Sequence, residues 1–174
     1  MLRQSAGAVV VASILTGGLA GCGGAGAGPF AWPRDAGTST VSLPVRPGGT
    51  AATTIAMSPT LTVPAVLLDV HPIHPEDARG VTLRYAATTG RRGLEILIGA
   101  GWHRSAWQLH RLPGFVIPAH VRGGVTIGAS SRRRGVHRIR GFVVDYRIGG
   151  TRYSAPQQVG LQICVGMRSC PIEP

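Results

Sequence analysis

The chain has 174 residues, 44% of them apolar and 14% charged, and carries a formal net charge of +11. That apolar content excludes global disorder, and the length allows one domain with its own core. All 18 basic residues are Arg, with no Lys or Asn anywhere, which reads first as a GC-rich coding bias and only second as guanidinium chemistry. Such a surface is drawn to anionic lipid headgroups or anionic wall polymers. Nucleic acid is the ordinary partner of so basic a chain, and the location argued next withdraws it.

The chain opens "MLRQSAG", with Arg3 as its only charge, and continues "AVVVASILTGGLA". A positive n-region and an apolar h-region ending in small residues are the layout of a secretory signal. From Ala6 to Ala20 the apolar run is short of the roughly 20 residues that cross a bilayer as a helix. Gly17 and Gly18 each cost about 1 kcal/mol in a helix interior. Leu19-Ala20-Gly21-Cys22 then resembles the lipobox of bacterial lipoproteins, a resemblance confined to residues 1–22. It implies that Cys22 is lipidated with palmitate-type acyl chains and becomes the first mature residue. It also implies a chain held at the extracytoplasmic side of the cell membrane. One acyl chain anchors only marginally, and in the family a diacylglyceryl group supplies two at one residue.

Residues 22–40 read as a flexible tether. "GGAGAG" has no side chain able to build a core, and "PFAWPRDAGTST" is still dominated by Pro, Gly, Ser and Thr. The domain is expected over residues 41–174.

Period-2 alternation recurs along that span. In "VSLPV" it places Val41, Leu43 and Val45 on one side. "LTVPAVLLDV" (61–70) is a nearly continuous apolar run broken by Pro64. In "GVTLRYAAT" Val81, Leu83, Tyr85 and Ala87 face inward, and in "LEILIG" Leu94, Ile96 and Ile98 oppose Glu95. The stretch "WHRSAWQLHRL" (102–112) reads as a helix face through Trp102, Ala106 and Leu109, as a strand, or as a long loop. In "IRGFVVDYRIGGTRYS" Phe142, Val144, Tyr146 and Ile148 share a face. Gly149-Gly150 suits a tight hairpin, and "VGLQICV" (159–165) follows Pro156 as a continuation or a new strand. Turn signals at short intervals predict an all-β fold: a single Ig-like β-sandwich of about seven to nine strands.

With Cys22 assigned to lipid, Cys164 and Cys170 remain, and in an oxidising compartment they are expected to form a disulfide. "HPIHPED" gathers His71, His74, Glu76 and Asp77, imidazoles and carboxylates that suit Zn, Cu or Ni. The same residues also suit a solvated loop. Trp102 and Trp107, interleaved with His103, Arg104, His110 and Arg111, offer a partner-binding surface or core packing. Arg132-Arg133-Arg134, with His137, Arg138 and Arg140, is the strongest basic run and suits either an anionic partner or a solvated turn.

No catalytic constellation is present: G-x-S-x-G, H-E-x-x-H and G-K-[ST] are all missing. No cofactor is implied. The expected function is a lipid-anchored, non-catalytic binding or scaffolding module of the cell envelope, with anionic polymers or an envelope protein as partners. The alternatives are an envelope metal-binding protein using His71, His74 and Glu76, and an unrecognised envelope hydrolase with Cys164 as a free-thiol nucleophile.

Overall fold

The computed structural model describes residues 26–31, 37–57, 60–90, 98–100 and 108–171. Its strands are β1 (Ser39–Val45), β2 (Thr50–Met57), β3 (Ala65–Pro72), β4 (Thr82–Gly90), β5 (Ile98–Ala100) and β6 (Gln108–His110). They are followed by β7 (Val116–Ile117), β8 (Arg122–Ser130), β9 (Gly135–Ile139), β10 (Phe142–Ile148), β11 (Thr151–Gln157) and β12 (Val159–Val165).

One layer of the sandwich is the five-stranded sheet β5-β2-β8-β4-β6. The other joins β1-β12-β9 to β11-β10-β3-β7. These belong together because β9 runs into β10 and β11 into β12. Phe142 pairs with Gln157 and, past the break, Ile139 with Leu161, a slip of one residue in an otherwise continuous antiparallel ladder. The slip absorbs Gly141, whose φ of +151° suits glycine. Counting each interrupted pair as one strand leaves seven long strands plus the short β5, β6 and β7. The first long strand lies parallel to the last, β1 on β12. This is an all-β, Ig-like sandwich.

The core follows from the alternation. Ala51, Ile55 and Met57 of β2, Val125 and Ile127 of β8, and Ala87 of β4 meet Leu67, Val144, Tyr146, Leu161 and Ile163 of the facing layer, all nearly inaccessible. The apolar run in β3 hides a change of phase. Asp145 lies opposite Asp69, yet Tyr146 lies opposite Leu67, so Leu68 is an extra residue. Ala65 and Leu67 point into the core on one side of this bulge and Val70 on the other. Without it, strict alternation would carry Asp69 inward. The Asp69 carboxylate accepts the Val70 N–H at 2.8 Å and holds the bulge.

The region read as tether is in part packed on the domain. Phe30 is 4% exposed, and its N–H donates to Tyr146 Oη at 3.1 Å. Its carbonyl accepts the Gln157 amide at 2.7 Å, and the Gly26 carbonyl accepts the Ser154 N–H at 3.1 Å. The folded unit thus begins before residue 41. An aromatic side chain that finds a core pocket outweighs the Gly-rich composition around it. Residues 26–31 and then β1 run along β11 and β12, covering an edge that would otherwise be open.

Two core positions, Thr53 and Thr88, are imperfectly matched. Thr53 shares the inward face of β2 with Ala51 and Ile55, and its hydroxyl has no hydrogen-bond partner among the described residues. Thr53→Val is expected to raise stability by about 1 kcal/mol, because the methyl fills the same space without an unmatched polar group. The change is read from the urea midpoint; a lower midpoint would show that the hydroxyl is satisfied in solution.

Candidate functional site

The HPIHPED segment ends β3 and enters a 3-10 turn, Pro75–Ala78. It is tied to the break between β9 and β10, where the Ile73 N–H donates to the Gly141 carbonyl at 3.0 Å. Arg140 closes this corner. Its Nη2 lies 2.9 Å from Asp77 Oδ1 and 3.3 Å from Glu76 Oε1, and its Nε and backbone N–H each reach Asp77 Oδ2 at 3.0 Å. The guanidinium holds the Asp77 carboxyl below the usual range, and Asp77 in turn raises Arg140. His74 Nδ1 lies 3.4 Å from the same Glu76 oxygen. The loop carboxylates therefore serve a structural clamp.

A depressed folded-state carboxyl contributes stability above its unfolded pKa of about 3.9, and that contribution disappears as pH falls through the folded value. Arg140→Ala should therefore lower Tm at pH 7, with the gap to the parent closing below about pH 4. A gap constant from pH 7 to pH 2 would show that Arg140 acts through packing alone.

His71 precedes that loop, within β3 and opposite Val143 of β10. Together with Asp69 and Asp145 it places its ligand atoms within 4.8 Å of one another. Asp69 and His71 stand two apart on β3, past the bulge, and antiparallel register brings Asp145 of β10 opposite Asp69. His71 Nδ1 is 3.8 Å from Asp69 Oδ2, and Asp145, only 9% exposed, is met by Arg152 Nη2 at 3.3 Å. Burial, with the Asp69 charge as a lesser cause, pushes the nearby Tyr85 phenol up to about 12. Two carboxylates and an imidazole are a donor set for a divalent cation. Among the described residues His71, His74 and Glu76 do not converge in this way. The signal for Asp69 was its i, i+2 spacing from His71; Asp145 is 74 positions beyond His71 and had no local signal.

Of the aromatic-basic segment, Trp102, His103, Arg104 and Trp107 lie outside the described residues. His110 closes β6 and stacks on Phe115 with ring centroids 4.2 Å apart, while Arg111 is exposed. The basic run is divided among several tasks. Arg132, Arg133 and Arg134 form the exposed turn between β8 and β9, Arg138 reaches Gln162 Oε1 at 2.7 Å, and Arg140 closes the clamp.

Cys164 is bonded to Cys170 with a Cα–Cα distance of 5.5 Å, which ties the chain after β12 back to that strand. As bonded, Cys164 has no thiol to offer as a nucleophile. Replacing both cysteines by alanine should cost about 2 kcal/mol for so short a loop, lowering Tm by roughly 6–10 °C. Calorimetry of the double variant beside the reduced parent checks this; an unchanged Tm in both would remove the bridge from the stability account.

Cys22 lies outside the described residues, and no described helix is long and apolar enough to cross a membrane. No protein-family model matches the chain, and no curated protein does. Among solved structures it is similar to the ASH/PapD-like domain of human CEP192 (PapD-like domain 7). The identity is 11% and the TM-score 0.37, over 77% of this chain and 84% of that one. A likeness that faint is a matter of record and carries no statement about function.

Proposed function

We propose that the protein is a lipid-anchored, non-catalytic binding or scaffolding module on the extracytoplasmic side of a bacterial cell membrane. The lipobox-like Leu19–Cys22 carries this reading. Four peptide links separate Cys22 from Gly26, so the anchor stays within about 14 Å of a residue fixed beside Ser154. From Gly26 to Phe30 the chain moves along β11 from Ser154 toward Gln157.

Intact-mass spectrometry of protein extracted from native membranes tests the anchor. The expected mass is that of a chain starting at Cys22 plus acyl groups, and Cys22→Ala should move the protein to the soluble fraction. An unlipidated, membrane-free parent would overturn the reading.

A second reading is favoured by the meeting of Asp69, His71 and Asp145: an envelope metal-binding protein using those residues. Calorimetric titration with Zn²⁺ should then show binding that Asp145→Asn removes. No heat from the parent chain would dismiss it.

A further inference from the structure

Three turns distant in sequence meet at the end of the sandwich opposite the β10–β11 hairpin turn. They are the β1–β2 turn, the β8–β9 turn and the chain leaving β12. The Gly48 N–H donates to the Ser131 carbonyl at 2.8 Å, and the Gly166 N–H to the Val45 carbonyl at 2.8 Å. The stem of Arg134 lies over Gly166, where its Cγ would be 3.3 Å from any added methyl group. This convergence brings Arg46 and Arg168 to the Arg132–Arg134 turn, and all five side chains are exposed.

None of these guanidinium groups pairs with a carboxylate among the described residues. Of the described acidic groups, Glu76 and Asp77 are held by Arg140, Asp145 by Arg152, and Asp69 lies beside His71. Between the β1–β2 turn and the chain leaving β12 lies an open hollow of about 640 Å³, walled by Pro44, Val45, Pro47 and Met167 and flanked by Arg46 and Arg168. Met167 is 44% exposed there.

We propose that this end binds an anionic polymer whose phosphates are joined by short carbon linkers. The proposal deepens the binding-module reading and rests on it for location only. The Arg fork matches phosphate oxygens bidentately, and a tetrahedral phosphate presents oxygens to guanidinium groups arriving from several directions. Repeated phosphates match arginines spread over three turns, and the linkers match the apolar wall of the hollow. Single-stranded nucleic acid fits poorly, since its binding sites stack bases on aromatic rings and no described aromatic side chain lines this hollow.

The test uses the full chain in neutral detergent and fluorescently labelled polyglycerol phosphate, titrated at 0.05 and 0.15 M salt. Arg46→Ser/Arg168→Ser and Arg132→Ser/Arg134→Ser should each weaken binding at least tenfold and flatten its salt dependence. Arg122→Ser/Arg147→Ser removes the same charge from exposed positions near the opposite end and should change affinity less than twofold. Equal losses in all three pairs would overturn the proposal, because binding would then follow net charge. Oligothymidylate of equal phosphate number binding as tightly would overturn it as well. So would capture by phosphatidylglycerol vesicles without capture of the polymer. An unlipidated chain with the same ranking of variants supports this site and removes only its location.

Discussion

Truncating Tyr146 to alanine will cost about 4 kcal/mol of folding stability, a large share of what a domain of this size has to lose. The ring is fully buried, stacks on Tyr153 with centroids 5.2 Å apart, and meets Phe30 at 4.8 Å. Its hydroxyl donates to the Ala27 carbonyl at 2.8 Å and accepts the Phe30 N–H. Burial raises its pKa, so the proton needed for that donation is retained. Tyr146→Phe keeps the ring and removes only the hydroxyl, for an expected loss of about 1–2 kcal/mol. Urea midpoints at constant m-value distinguish the two. Equal losses would place the whole effect in the hydroxyl and refute the packing account.

Gly28→Ala is expected to cost about 3 kcal/mol, a large effect for the addition of one methyl group. Gly28 has a φ of +61°, where an L-residue pays roughly 1 kcal/mol, and its Cβ would overlap Tyr146 Oη and the Tyr153 ring. The ring cannot yield without disturbing the core, so the N-terminal segment leaves instead and Phe30 loses its burial, worth about 2 kcal/mol. The variant should therefore be cut by protease near Phe30 at concentrations that spare the parent. Unchanged resistance would mean that the segment stays docked and that the tyrosines move.

The fold was largely legible in the sequence, because period-2 alternation is a local signal. Phe142, Val144 and Tyr146 are buried as their spacing predicts, and Gly149-Gly150 turns β10 into β11. Pro156 proved compatible with a continuing strand: it sits opposite Val143 inside β11, and the interruption comes one residue beyond Gln157. Less was legible where geometry depends on distant partners. The bulge at Leu68 looks in sequence like an unbroken apolar run, and only the register with β10 reveals the phase change that exposes Asp69. Phe30 gave no warning of its burial, since two aromatic residues within a Pro- and Gly-rich stretch are too short a pattern to read.

The same limit applies to the candidate sites. His71 was identifiable as a metal-type side chain, but Asp145 joins it through strand pairing and Arg140 takes the loop carboxylates. Arg132–Arg134 stood out as a run, whereas Arg46 and Arg168 are isolated in sequence and join that end through the Gly48–Ser131 and Gly166–Val45 hydrogen bonds.

The parallel pairing of β1 with β12 sets an order of events during synthesis. A strand near the beginning of the chain has its ladder partner near the end, more than a hundred residues later, and closing so long a loop is slow. While the ribosome is still working, the N-terminal portion has nothing to lie against, since Tyr146, Tyr153 and Gln157 are also made late. Residues 26–31 and β1 consequently gain their partners only with the last strands, whereas β2 can already pair with β5 and β8.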